Sequence, residues 1–163
     1  MKKFNTKDLA LNSIIGASYF ILVAVFNVFS FTAEQFRIAE VLLVLLLFNT
    51  KLAPGLLTGT LVANLVFSPF GPLDALFGTL ASLVAIGFMI LFRKLPFVSL
   101  LMPAIFNGLI VGLFIHFMAT DNVTPFIVTF GWIFFGEFIV MYVLGIPLYY
   151  LIKKNEAIQD LIK

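Results

Sequence analysis

The apolar run from Leu9 to Phe31 is longer than the core of a secretory signal, and a helix needs about 20 such residues to cross a bilayer. Five more apolar segments follow it in close order. The six expected spans are about 9–29, 36–49, 54–69, 73–92, 97–118 and 125–152. Lys2, Lys3 and Lys7 ahead of the first run imitate a signal, but its length makes it the first span. The second is short. The third opens at Pro54-Gly55, where proline suits a first helical turn, and the turn Ser68-Pro69-Phe70-Gly71-Pro72 precedes the fourth. No linker, low-complexity tract or internal repeat separates them. The expected fold is an all-α integral membrane protein, one membrane domain over residues 1–163 with six transmembrane helices.

Composition agrees. The chain is 62% hydrophobic and 11% charged, with a mean hydropathy of +1.14. Soluble domains run nearer 45–50% apolar and about 25% charged. A net charge of +2 is too small to argue for nucleic acid. The lack of cysteine removes disulfides, thiolate catalysis and Cys-based metal sites, and a lone histidine makes His-rich sites a poor expectation. No metal and no cofactor are expected.

Basic residues fix the expected orientation. With six spans, Lys2, Lys3, Lys7, Lys51, Arg93, Lys94, Lys153, Lys154 and Lys163 share one side, nine of the ten basic residues. That side is read as the cytoplasm, with both termini on it; only Arg37 falls elsewhere. Five of the eight acids, Glu34, Glu40, Asp74, Asp121 and Glu137, lie outside or within the membrane. Ionisable residues there usually face a bundle interior or a cavity and mark a pathway or site. Arg37 and Glu40, three apart on one helical face, are expected to line a polar cavity that opens outward; an interfacial ion pair would also account for them. Asp74 follows Gly71-Pro72-Leu73 and is either a site acid or a favourable charge at a helix start. Glu137 lies too deep to cap or snorkel. Asn64 and Asn107 are polar residues within spans, and asparagine also joins helices. Trp132 fits a site wall or an interfacial aromatic belt equally. His116, near a helix end, reads as interfacial.

Catalysis finds little support: there is no nucleophile elbow, no metal-binding helix pair and no phosphate loop. An intramembrane enzyme using Glu40, Asp74 or Glu137 is the alternative of a different class. Without a nucleotide motif the chain cannot drive ATP-powered transport alone.

Gln35-Phe36-Arg37-Ile38-Ala39-Glu40 resembles the QFRxxE signature of the queuosine-precursor transporter family, the QueT-type S components of energy-coupling factor (ECF) transporters. Pro54-Gly55-Leu56-Leu57-Thr58-Gly59 with Ala63-Asn64-Leu65 resembles that family's third span, and Asp74 to Leu83 its DxxFGTLATL stretch. Phe106-Asn107-Gly108 to Gly112, and Gly136-Glu137 onward to Leu144-Gly145-Ile146-Pro147-Leu148, resemble its fifth and sixth spans. The likeness covers roughly residues 30–150, in order. It departs at Val44 to Phe48, which lack the proline associated with the family there. The resemblance implies a multi-pass protein of a bacterial cell membrane that captures a 7-deazaguanine, such as 7-aminomethyl-7-deazaguanine or queuine. It implies as partners an ECF transmembrane coupling subunit and two cytoplasmic ATPases, with the whole S component toppling during transport. An S component for another vitamin-like molecule is the nearer alternative. The implied ligand site comprises Arg37, Glu40, Asn64, Asp74, Asn107, Trp132 and Glu137. Phe67, Phe70 and Phe77 are further aromatic walls for a flat ring. S components dock through small residues on the first helix, here Ala10, Ser13 and Ala17, whose spacing also suits ordinary packing.

Overall fold

The computed structural model describes residues 4–32, 35–69, 71–118 and 125–162, and these are helical almost throughout. Helix α1 is Thr6–Val25, followed by the one-turn helix Asn27–Ser30. A 3₁₀ segment, Ile38–Leu47, comes next. Helix α2 is Ala53–Phe67, entered through the turn Thr50–Leu52, and α3 is Pro72–Leu91. Helices α4 (Pro96–Met118) and α5 (Phe126–Lys154) are each interrupted by a π-helical stretch, and α6 is Glu156–Ile162.

Local chemistry explains the helix starts. Asn5 caps α1 by accepting from the Asp8 backbone N–H (2.8 Å), and Asp8 Oδ2 accepts from the Asn5 N–H (3.0 Å), a reciprocal capping box. Pro54, Pro72 and Pro96 stand in the first turns of α2, α3 and α4, where the missing N–H loses no bond. Among the described residues four helices are long and apolar enough to cross a membrane: Thr6–Val25, Thr50–Phe67, Pro96–Met118 and Phe126–Lys154. The apolar helices Ile38–Leu47 and Ala75–Leu91 fall short of that measure. Large apolar side chains such as Ile14, Ile21, Leu91, Phe117 and Ile127 are exposed on the outside of the bundle. In water such a surface would be an aggregation liability; in lipid it is the expected solvent contact.

The 3₁₀ segment lies within the bundle, in contact with α1, α3 and the π stretch of α5. Its ten residues advance about 2.0 Å each, against about 1.5 Å in an α-helix, so it reaches roughly 20 Å rather than 15 Å. A short apolar segment thereby spans more depth. Three residues per turn also put Arg37, Glu40, Leu43 and Leu46 in one column, and all four are buried. Ala39 and Val44, both fully buried, flank that column.

Helices α1 and α2 approach closely through glycine. A Cβ on Gly59 would stand 2.7 Å from the Gly16 carbonyl oxygen, and one on Gly16 would stand 2.8 Å from that of Gly55. Asn12 secures the crossing. Its amide donates to the carbonyls of Asp8 (2.8 Å) and Lys51 (2.9 Å), and its oxygen accepts from the Gly55 N–H (2.7 Å). At that end Lys51 Nζ meets Asp8 Oδ2 at 2.6 Å, Lys7 donates to the Asp160 carbonyl at 3.3 Å, and Asn49 donates to that of Ile162 at 2.6 Å. The start of α1, the 49–51 turn and the C-terminal helix α6 therefore meet at one end of the molecule.

Candidate functional site

Burial separates the polar residues sharply. Arg37, Glu40, Asn64, Asn107 and Glu137 are each at most 2% exposed. Each sits on an element whose winding aims it inward. Arg37 caps the 3₁₀ segment and Glu40 lies in its first turn. Asn107 opens the π stretch Asn107–Val111, and Glu137 stands three residues before the π stretch Val140–Gly145. Wide turns of this kind recur at functional sites. Pro147 gives the second one a cause: lacking an N–H, it cannot satisfy the carbonyl of Val143 in the α pattern.

Two carboxylates organise the cluster. Tyr19, on α1 and 1% exposed, donates its hydroxyl to Glu40 Oε1 at 2.7 Å. Asn107 donates its amide to Glu137 Oε1 at 3.1 Å. In each acid the second oxygen, Oε2, is buried and accepts no hydrogen bond. Glu137 lies within Coulombic reach of both Glu40 and Arg37. Asn64 joins from α2: a Cβ at Gly78 would fall 2.6 Å from Asn64 Nδ2 and 3.8 Å from a guanidinium nitrogen of Arg37. Arg37 and Asn64 thus converge over a bare patch of α3 backbone. The guanidinium also lies 5.6 Å from the centre of the Phe31 ring. Arg37 and Glu40 are both buried within the bundle, and Glu40 takes its hydrogen bond from Tyr19.

Other expected residues stand elsewhere. Trp132 is 47% exposed on the outer surface and does not join the buried cluster. Its position near a helix start, among lipid-facing side chains, suits the aromatic belt instead. Asp74 lies in the first turn of α3, with its side chain, like all of Phe70, outside the described residues. Phe67 packs on Phe20 (5.3 Å between centroids) and Phe77 stacks on Phe114 (4.8 Å), so both serve helix packing. Ala10, Ser13 and Ala17 are exposed on α1. Ser13 and Ala17 line a groove of about 390 Å³ between α1 and α2, floored by Gly16, Gly55 and Gly59.

Sequence reasoning passed over Tyr19, Gln35, Gly78, Thr79 and Ser82. Tyr19 carried a usable signal, because a tyrosine hydroxyl in mid-span needs a partner. Gln35 carried none. It is buried, with a φ of +46° that non-glycine residues rarely adopt, two residues before Arg37.

Residues 9–154 match the family model described as QueT transporter. The chain belongs to the QueT transporter family. No curated protein and no solved structure matches it. The family is one of transporters, which favours a carrier of small molecules over an enzyme, and the apolar helices agree with a membrane protein. The match also spans every buried polar residue of this QueT-family cluster, from Tyr19 to Glu137.

Proposed function

We propose that the chain is the substrate-binding S component of an ECF transporter and captures a queuosine precursor of the 7-deazaguanine type. The observation that carries this reading is a set of buried acceptors that the protein itself leaves unused. Glu40 Oε2, Glu137 Oε2 and Asn107 Oδ1 are buried without hydrogen-bond partners. Unmet buried acceptors are costly, and carboxylates especially so, unless a ligand brings donors. A 7-deazaguanine is donor-rich along its guanine-like edge, and an aminomethyl substituent adds a cation. Tyr19 and Asn107 each bond one oxygen, which leaves the second oxygen of each acid, and a lone pair on the first, for the ligand's donors.

Six crossings, both termini in the cytoplasm and an outward-opening site complete the reading, in a multi-pass protein of a bacterial cell membrane. The basic residues on one side of the expected topology support it. The coupling subunit is assigned to the exposed Ala10, Ser13 and Ala17 face beside the α1–α2 groove, and two cytoplasmic ATPases supply the energy. Native mass spectrometry of the purified chain with 7-aminomethyl-7-deazaguanine, queuine and adenine tests the ligand class. Retention of the deazaguanines but not adenine is expected; equal retention of all three, or of none, overturns it.

A further inference from the structure

Helical serines and threonines normally bend their hydroxyl back onto the carbonyl four residues earlier. Among the described residues Ser13 does so onto Leu9 (3.0 Å), Ser18 onto Ile14 (2.8 Å), Ser30 onto Phe26 (3.0 Å), Thr58 onto Pro54 (2.8 Å) and Thr60 onto Leu56 (3.0 Å). Thr79 and Ser82 in α3 do not. Their hydroxyl oxygens are buried and have no hydrogen-bond partner, and Ser82 is only 1% exposed.

Their place on α3 gives this meaning. Ser82 is one turn beyond Gly78, on the same helical face, and three residues from Thr79. Gly78 is the position against which Asn64 Nδ2 and the Arg37 guanidinium converge. Helix α3 lies between α2, which carries Asn64, and the π stretch that begins at Asn107. Asn64 Nδ2 is itself buried without an acceptor. The acid side of the cluster offers acceptors; the α3 side offers an amide N–H and two rotatable O–H groups.

We propose that Thr79 and Ser82, with Asn64, form a donor wall of the ligand site that reads a ring carbonyl, selecting a lactam-type heterocycle over its oxo-free analogue. The proposal rests on the functional reading above and deepens it. The acids take the ligand's N–H groups on one side, and the hydroxyls and Asn64 take its carbonyl oxygen on the other. A ring without the oxo group leaves the donor wall unmet and also lacks the lactam N–H that the acids would take, so it is rejected on both accounts, and only the first is relieved when the wall is removed.

The test is titration of the detergent-solubilised full chain, wild type, Ser82→Ala and Thr79→Val, with 7-aminomethyl-7-deazaguanine and with the same ring lacking the oxo group. Each variant is expected to bind the oxo compound roughly tenfold more weakly and the oxo-free compound nearly as wild type does. Melting is followed without ligand in parallel. Removing an unmet buried hydroxyl does not lower apo stability, so weaker binding with an unchanged or raised melting temperature separates ligand reading from a packing role. Thr79→Val keeps the side-chain shape and decides the matter if Ser82→Ala fails to fold. Variants that bind the oxo compound as wild type does, or lose both compounds equally, overturn the assignment while the functional reading stands. A wild type that binds neither compound overturns the functional reading, and the donor wall with it.

Discussion

Glu40 and Glu137 are chemically alike and differently held, and single substitutions distinguish them. Glu137→Gln preserves volume and the hydrogen bond from Asn107 but removes the carboxylate that the proposed site offers to the ligand. Loss of a hydrogen bond to a charged group is worth about 1.5–3 kcal/mol, so deazaguanine affinity is expected to fall at least about tenfold with the fold intact. Isothermal titration alongside circular dichroism reads both, and unchanged affinity in Glu137→Gln and Glu40→Gln alike removes the two acids from the site. Tyr19→Phe acts indirectly, by leaving Glu40 Oε1 without its donor at 2.7 Å. Its effect on binding is expected to shrink when Glu40 is already glutamine, because residues in contact are not additive. A full additive loss in the double variant would show that Tyr19 works independently of Glu40. These roles were unevenly legible in the sequence. Arg37, Glu40, Asn64, Asn107 and Glu137 stand out in apolar runs because lipid penalises polar groups. Thr79 and Ser82 do not, because a helical hydroxyl usually satisfies itself and so carries little information. Trp132 was ambiguous for a physical reason: a tryptophan near a helix end looks the same whether it walls a site or anchors in headgroups.

At the scale of elements, glycine sets how near the helices come. A Cβ on Gly59 meets the Gly16 carbonyl oxygen at 2.7 Å and the Tyr19 Cβ at 2.9 Å, neither of which can yield without moving a helix. Gly59→Ala is therefore expected to destabilise the protein by about 1–3 kcal/mol, as overpacking does. Gly87, within α3, has nothing within 4 Å of its would-be Cβ, so Gly87→Ala gains helix propensity and is expected to leave stability level or raise it. Thermal unfolding of the two variants in one detergent compares them directly; an equal loss in both would show that the effect does not come from the crossing. The apolar segments themselves were readable from hydropathy, since crossing a bilayer needs only length and composition. Their winding was not. The ten-residue 3₁₀ run and the two π stretches arise from what the bundle demands of them: depth from a short segment, and inward aim for Asn107 and Glu137. The shortness of the 36–49 segment was the one trace of this in the sequence, and Pro147 the nearest local cause.

For the whole molecule, the end where Lys7, Lys51, Asp160 and Ile162 meet and the buried acid cluster make one directional argument. If the basic end faces the cytoplasm, Pro125, at the start of α5, faces outward and Lys154, at its end, faces inward. Cysteines introduced at the two positions of this cysteine-free chain are expected to react with a membrane-impermeant maleimide on intact cells at 125 and not at 154; the reverse pattern inverts the topology and the access route to the site. The same geometry separates capture from coupling. Ala17 is exposed on the outer side of α1, whereas Tyr19, two residues on, turns inward to Glu40. A bulky Ala17→Trp is thus expected to abolish copurification with a coupling subunit while deazaguanine still binds with near wild-type affinity. Small residues allow close helix approach in lipid, and an indole there holds a partner helix off without touching the acid cluster. Pull-down and ligand titration on the same preparation decide it. If copurification survives, the partner docks on another face; if ligand binding is lost as well, α1 transmits between its two faces, and docking and capture are one coupled equilibrium rather than two separate surfaces.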